Sequence, residues 1–227
     1  MIPQPSNVAE LRAAWQVLND VPDPSAGPAW LMTNVADTPR LYVTGMIGGY
    51  RLNAGDFVKA VHAITAPTID LHVNSPGGFV WDAVSMYEAL LQHPAMVRTH
   101  IDGLAASAAS FLALAGDSVD IARAGRVMIH DAQVIAYGSP AAVRLAADLG
   151  DAISNDIAGI YADRAGGKAA GWRTAMSATT WYSSQQAVDA GLADRIAAGA
   201  GGGRSSGPDN RTRIMKARHS ALTTQGG

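Results

Sequence analysis

The chain has 227 residues, 48% of them hydrophobic and 16% charged, which is enough apolar material for one well-filled core of ordinary domain size. A formal net charge of −2 gives no general case for nucleic-acid binding, and the absence of cysteine excludes disulfides, thiolate catalysis and cysteine-ligated zinc. The six histidines (His62, His72, His93, His100, His130 and His219) show no paired ligand spacing such as H-E-x-x-H, so neither a metal nor an organic cofactor is expected.

Residues 1–28 are proline-rich around one short amphipathic stretch, VAELRAAWQVL, and read as an arm outside the core. The opening lacks a basic region followed by an apolar one, so no signal peptide is expected and cytoplasmic residence is the default. The core is expected over 29–198. Within it LYVTG (41–45), IDLHV (69–73), VRTHI (97–101), SVDIA (118–122) and RVMIH (126–130) read as strands. Helical periodicity runs over AGDFVKAVHAI (54–64) and VWDAVSMYEALLQH (80–93), the latter stopping before Pro94. GLAASAASFLALAG (103–116) is too short for a membrane span of about 20 residues and reads as a buried small-residue helix. One long helical pattern covers 139–167 and ends in a glycine pair, and SSQQAVDAGLADRI (183–196) reads as a helix with a glycine stop and then a short strand. The last segment, 199–227, is Gly/Ser-rich and carries four Arg and one Lys against one Asp, the composition of a disordered basic tail. Strands alternating with helices predict an α/β fold with parallel pairing.

Three stretches could carry chemistry. The strand IDLHV runs into Asn-Ser-Pro-Gly-Gly, where Gly77 and Gly78 can adopt positive φ and present backbone N–H groups to an anion or a developing oxyanion; taken alone, the motif is weak evidence and reads first as a plain turn. In DGLAASAAS, Ser107 lies at a strand-to-helix junction among small residues, where a nucleophile's Oγ is exposed and the next N–H, that of Ala108, faces the same space. On composition alone Ser110 is as good a candidate. Finally, His130 ends an apolar strand and precedes Asp131, a place where an imidazole can take a proton from a serine hydroxyl.

In this order, NSPGG, GLAASAAS and MIHD resemble the ClpP-type serine peptidases, closest to the phage head maturation branch, and the resemblance extends through TWYSSQQAVDAGLADRI to cover about residues 40–196. It implies a ClpP/crotonase-like fold of repeated β-β-α units in a spiral, with a parallel sheet and a protruding handle helix at 139–165 through which copies assemble into a ring. It also implies Ser107 as nucleophile, His130 as general base, Gly78 and Ala108 as oxyanion N–H donors with Gly77 shaping the turn, and the segment 136–140 as the strand that holds substrate by β-pairing. The implied partner is a protein substrate, scaffold or capsid protein in a procapsid, with no nucleic acid, no membrane and no cofactor. No docking element for an ATP-driven partner is visible, so ATP-independent action is expected.

One position departs from the pattern. Where the resemblance calls for Asp or Glu, two residues before Trp181, the chain has Thr179. A Thr hydroxyl can hold the imidazole tautomer but offers no charge, and triads deprived of their acid lose up to about 10⁴ in kcat. Either Thr179 orients a weak dyad, or another carboxylate such as Asp131 or Asp163 reaches the histidine, or the chain is a catalytically weak or inactive assembly protein. An acyl-CoA enzyme of the crotonase type has no feature in its favour, and none of Lys59, Lys168 and Lys216 occupies a convincing position for a serine–lysine mechanism.

Overall fold

The strands are two-faced, and that alternation sets the architecture. A computed structural model describes residues 30–35, 38–48 and 52–198; the predicted arm at 1–28 and tail at 199–227 lie outside the described residues. Along Thr38–Ile47 (β2), Thr68–Gly78 (β3), Met96–Ala106 (β4) and Ser118–Ile121 (β5), the side chains of Leu41, Val43, Ile69, Leu71, Val73, Val97, Ile101, Val119 and Ile121 are all buried. They share one core with Phe57 and Val61 of Ala54–His62 (α1) and with Met86 and Leu90 of Val80–Leu91 (α2). With a side-chain period of two, the alternate residues face the other way. There Tyr42 stacks on His72 and His72 on His100, with ring centroids 4.6 and 4.8 Å apart, while Arg98 Nε donates to Asp70 at 2.7 Å.

The sheet runs β1 (Trp30–Val35), β2, β3, β4, β5, β8 (Arg195–Ile196). Every neighbouring pair from β2 to β8 is parallel, and only β1 is antiparallel to its neighbour in this row. The helices α1 and α2 are the crossovers that parallel pairing requires. β4 is longer than its partner on the far side, so its edge is shared. Arg98–Ile101 pair with β5, and Leu104–Ala106 pair with Arg126–Ile129 (β6), which in turn pairs antiparallel with Thr180–Ser183 (β7).

The remaining helices are Ala108–Leu112 (α3, followed by a 3₁₀ turn over Ala113–Ala115), Pro140–Ala165 (α4), Ala169–Ser177 (α5) and Ser184–Asp189 (α6). Ser139 caps α4 by accepting from the Ala142 N–H, with Pro140 in the first turn, and Ser183 and Gln186 form a capping box on α6. α4 is half docked. Ile153, Ile157, Ala158 and Tyr161 are buried, whereas Val143, Leu145 and Leu149 nearer its start are exposed, so its first half stands off the core. The α/β class, the mostly parallel sheet and the protruding helix are those expected.

Three expectations need correction. β3 does not stop at Ser-Pro-Gly-Gly but continues through it to Gly78. A bulge between Val73 and Ser75 is filled by side chains: Asn74 Oδ1 accepts the Leu104 N–H at 3.1 Å, and Ser75 Oγ donates to the Gly45 carbonyl at 2.6 Å and accepts the Gly77 N–H at 3.1 Å. Next, the helix predicted over 103–116 begins only at Ala108, because the preceding residues to Ala106 belong to β4, with Ala105 paired to β3 and Leu104–Ala106 to β6. Lastly, β1, β7 and α5 were not anticipated; α5 carries Gly171 in its middle, and β7 is a four-residue strand whose partner β6 lies some 50 residues away in sequence.

Leu71 lies at the centre of the sheet with no exposed surface. Leu71→Ala is expected to cost about 2–5 kcal/mol, read as a lower urea midpoint at unchanged m-value.

Candidate active site

The end of β4 and the end of β6 meet at one pair of side chains. In the parallel register Ala106 lies beside Met128, and the ladder continues with the Ser107 N–H donating to the Met128 carbonyl at 2.9 Å. Ser107 then turns sharply, at φ 53° and ψ −127°, before α3 begins. A non-glycine residue there carries about 1–3 kcal/mol of strain and is held only by surrounding structure. The reward is direction: two residues beyond Met128, His130 places Nε2 2.6 Å from Ser107 Oγ.

That contact has the geometry that a nucleophile–base pair requires. The imidazole is partly buried, and burial holds its pKa below the ordinary 6.5, with the negative charge of Asp131 pulling weakly the other way. At neutral pH the ring is therefore uncharged and Nε2 can accept the hydroxyl proton, which is the state a general base needs. Ser110, the alternative nucleophile, is buried, and its hydroxyl is engaged with the Ser107 carbonyl and the Tyr161 hydroxyl. The geometry selects Ser107.

The glycine turn closes the other side. A Cβ built on Gly77, at φ 95°, would lie 2.6 Å from the Ala106 carbonyl oxygen, 2.7 Å from Ser107 Cβ and 2.8 Å from the Ala108 nitrogen. Gly78, at φ 151°, meets the Ile47 backbone in the same way. Only glycine permits this packing, and it brings the turn that holds Gly78 against the turn that holds Ala108. The Ala108 N–H is at the first position of α3, where an amide has no acceptor within its own helix.

The third position is occupied but uncharged. Ile129 pairs with Thr180, so one further step along the antiparallel register sets Thr179 beside His130. Thr179 has φ 51°; it and Ser107 are the two non-glycine residues with positive φ among the described residues. No described residue hydrogen-bonds His130 Nδ1. Asp131 is turned away into an ion pair with Arg173 and a 2.9 Å hydrogen bond from Ser177 Oγ, and Arg173 also reaches Asp151 at 2.6 Å. Asp163 is exposed on α4 and forms no ion pair with the ring. Among the described residues Ser107 and His130 thus form a pair with no carboxylate on the far nitrogen. Of the lysines, Lys59 pairs with Asp56 at 3.4 Å on exposed α1 and Lys168 precedes α5, while Lys216 lies outside the described residues. Residues 130–137 carry no regular secondary structure, and Ile135 and Tyr137 there are exposed.

Residues 58–200 match the model of the Clp protease family. The chain belongs to the Clp protease family. It is 29% identical over 131 residues to the ATP-dependent Clp protease proteolytic subunit 2 of Corynebacterium glutamicum, covering 56% of this chain and 65% of that protein. It is 30% identical over 131 residues to the ATP-dependent Clp protease proteolytic subunit of Pleurastrum terricola, covering 56% and 66%. The chain therefore spans just under two thirds of the length of these curated relatives. The family match takes in the glycine turn, Ser107, His130 and the Thr179 position together. Among the described residues no helix is long and apolar enough to cross a membrane.

If neutral His130 is the base, the rate at which Ser107 reacts with an electrophilic probe should fall as pH drops through an apparent pKa below 6.5. A midpoint at or above 6.5 in the rate profile would contradict the buried, neutral ring.

Proposed function

We propose that the chain is a serine endopeptidase. The observation that carries the reading is the 2.6 Å contact between His130 Nε2 and Ser107 Oγ, made at a strained turn that the fold holds in place. Ser107 Oγ attacks the peptide carbonyl carbon as His130 Nε2 takes its proton, and the N–H groups of Gly78 and Ala108 receive the oxyanion. His130 then gives the proton to the departing amine, leaving an ester on Ser107. A water, deprotonated by the same nitrogen, attacks that ester, releases the acid and restores the hydroxyl.

Without a carboxylate on Nδ1 the imidazolium is stabilised only by its surroundings, so turnover is slow for a family member. Slow turnover suits a protein that acts once on a concentrated local substrate. Together with the resemblance to the phage head maturation branch, this supports scaffold or capsid protein inside a procapsid as the substrate, cleaved without an ATPase. The exposed Val143, Leu145 and Leu149 on α4 support self-association through that helix into a ring. The lack of a charge beside the far nitrogen of His130 among the described residues also favours a second reading, a weak or inactive assembly protein of the same fold.

A fluorophosphonate probe separates the two. Wild type should be labelled and Ser107→Ala should not; equal labelling of both would remove Ser107 as nucleophile, and no labelling of either would favour the assembly reading.

Thr179→Asp supplies the missing charge at a residue whose left-handed backbone suits Asp better than a β-branched side chain. It should raise kcat/KM on a protein substrate by about tenfold or more, within the roughly 10⁴ that the acid controls.

A further inference from the structure

The peptide unit between Ser107 and Ala108 is held from behind by a hydrogen-bond chain that the mechanism above does not use. The Ser107 carbonyl accepts the Ser110 N–H at 2.9 Å and also the Ser110 hydroxyl. Ser110 Oγ in turn lies 2.6 Å from the hydroxyl of Tyr161, a fully buried side chain of α4. The direction of the chain follows from valence. A carbonyl oxygen can only accept, so the single Ser110 proton goes to Ser107, and Tyr161 must be the donor to Ser110. Burial pushes the Tyr161 pKa up, which keeps that donor protonated.

A planar trans peptide couples its two ends: when the C=O is pinned on one side, the N–H of the next residue points to the other. Here the pinned carbonyl is that of Ser107 and the N–H is that of Ala108. On the opposite side the β3 turn presses close, with the Ala108 nitrogen 2.8 Å from the Cβ position of Gly77. Successive hydrogen bonds also polarise one another, so a Tyr–Ser–carbonyl relay makes the Ala108 N–H a stronger donor than a lone peptide would be.

We propose that Ser110 and Tyr161 are positioning residues for the oxyanion hole. They hold the Ser107–Ala108 peptide in the orientation that aims the Ala108 N–H at the developing oxyanion, and they do so through the chain Tyr161 Oη–H to Ser110 Oγ–H to Ser107 C=O. This rests on the peptidase reading, since it assigns a role within that site. Neither residue touches substrate. Their effect is confined to the transition state, because only there does the oxyanion carry full charge.

The test uses the full chain with a peptide substrate and a peptide boronate, whose tetrahedral adduct places an oxygen in the oxyanion hole. Wild type, Tyr161→Phe, Ser110→Ala and the double variant are compared, with Ser107→Ala as the blank. Losing a whole oxyanion donor costs about 10²–10³ in kcat, so loosening one from behind should cost about tenfold. Tyr161→Phe and Ser110→Ala should each lower kcat by that order at unchanged KM, and boronate affinity should fall in parallel. The double variant should be no worse than Ser110→Ala, because Tyr161 acts only through Ser110. If the single variants lose only thermal stability, with kcat and boronate affinity as in wild type, the proposal is wrong and the peptidase reading stands. It is also wrong if the two losses multiply in the double variant. If wild type turns over no peptide and binds boronate no better than Ser107→Ala, the peptidase reading fails and takes this assignment with it.

Discussion

The structure depends on how the far end of β4 is paired. Up to Ile101 the strand is an ordinary member of a parallel sheet, with β3 on one side and β5 on the other. Past Gly103 its outer partner changes to β6, while β3, shifted by a bulge, stays on its inner side through Ser75 and Ala105. The three strand ends therefore converge on a single peptide. β3 contributes the glycine turn, β4 contributes Ser107, and β6 contributes His130. β3 could not approach the end of β4 so closely if Gly77 carried a side chain, nor β2 if Gly78 did.

Strain at Ser107 is affordable because the turn is tied down at both ends. Its N–H belongs to the β4–β6 ladder and its carbonyl to Ser110. A positive φ outside glycine persists only where such ties over-determine the backbone. The same holds at Thr179, where the Met176 carbonyl takes the amide N–H at 2.9 Å and β7 begins at the next residue. The two strained residues flank the same imidazole, one on each side, and the one on the far side, Thr179, carries no charge.

An uncharged residue at this place bears on the electrostatics more than on the geometry. His130 has one charged neighbour in sequence, Asp131, but Arg173 and Ser177 draw its carboxylate towards α5. The ring is left with burial as the dominant influence, which favours the neutral form and suits a base, while giving the imidazolium little help once it forms. Under the proposed mechanism such a site would start the reaction and give up speed.

Much of this was legible in the sequence. Alternating hydrophobic strands and amphipathic helices are local patterns, and they predicted the α/β class, α1, α2, α4 and the strands β2 to β6 in approximate position. Motif order pointed to Ser107, His130 and the glycine pair, because glycine next to proline and serine among alanines are visible one residue at a time. The limits of β3 and β4 were not legible, and composition alone left Ser107 and Ser110 equal until the order of the motifs named Ser107. Those limits depend on which partner lies alongside: small residues are compatible with helix or strand. Nor could any local pattern show that the Tyr161 hydroxyl, 54 residues beyond Ser107, reaches the back of its peptide through Ser110. The sequence by itself determined the residue types that the chemistry needs and the faces that must be buried. Tertiary structure alone decided which groups meet, because the contacts that orient a hydroxyl, an imidazole and a peptide N–H come from strands and helices far apart along the chain.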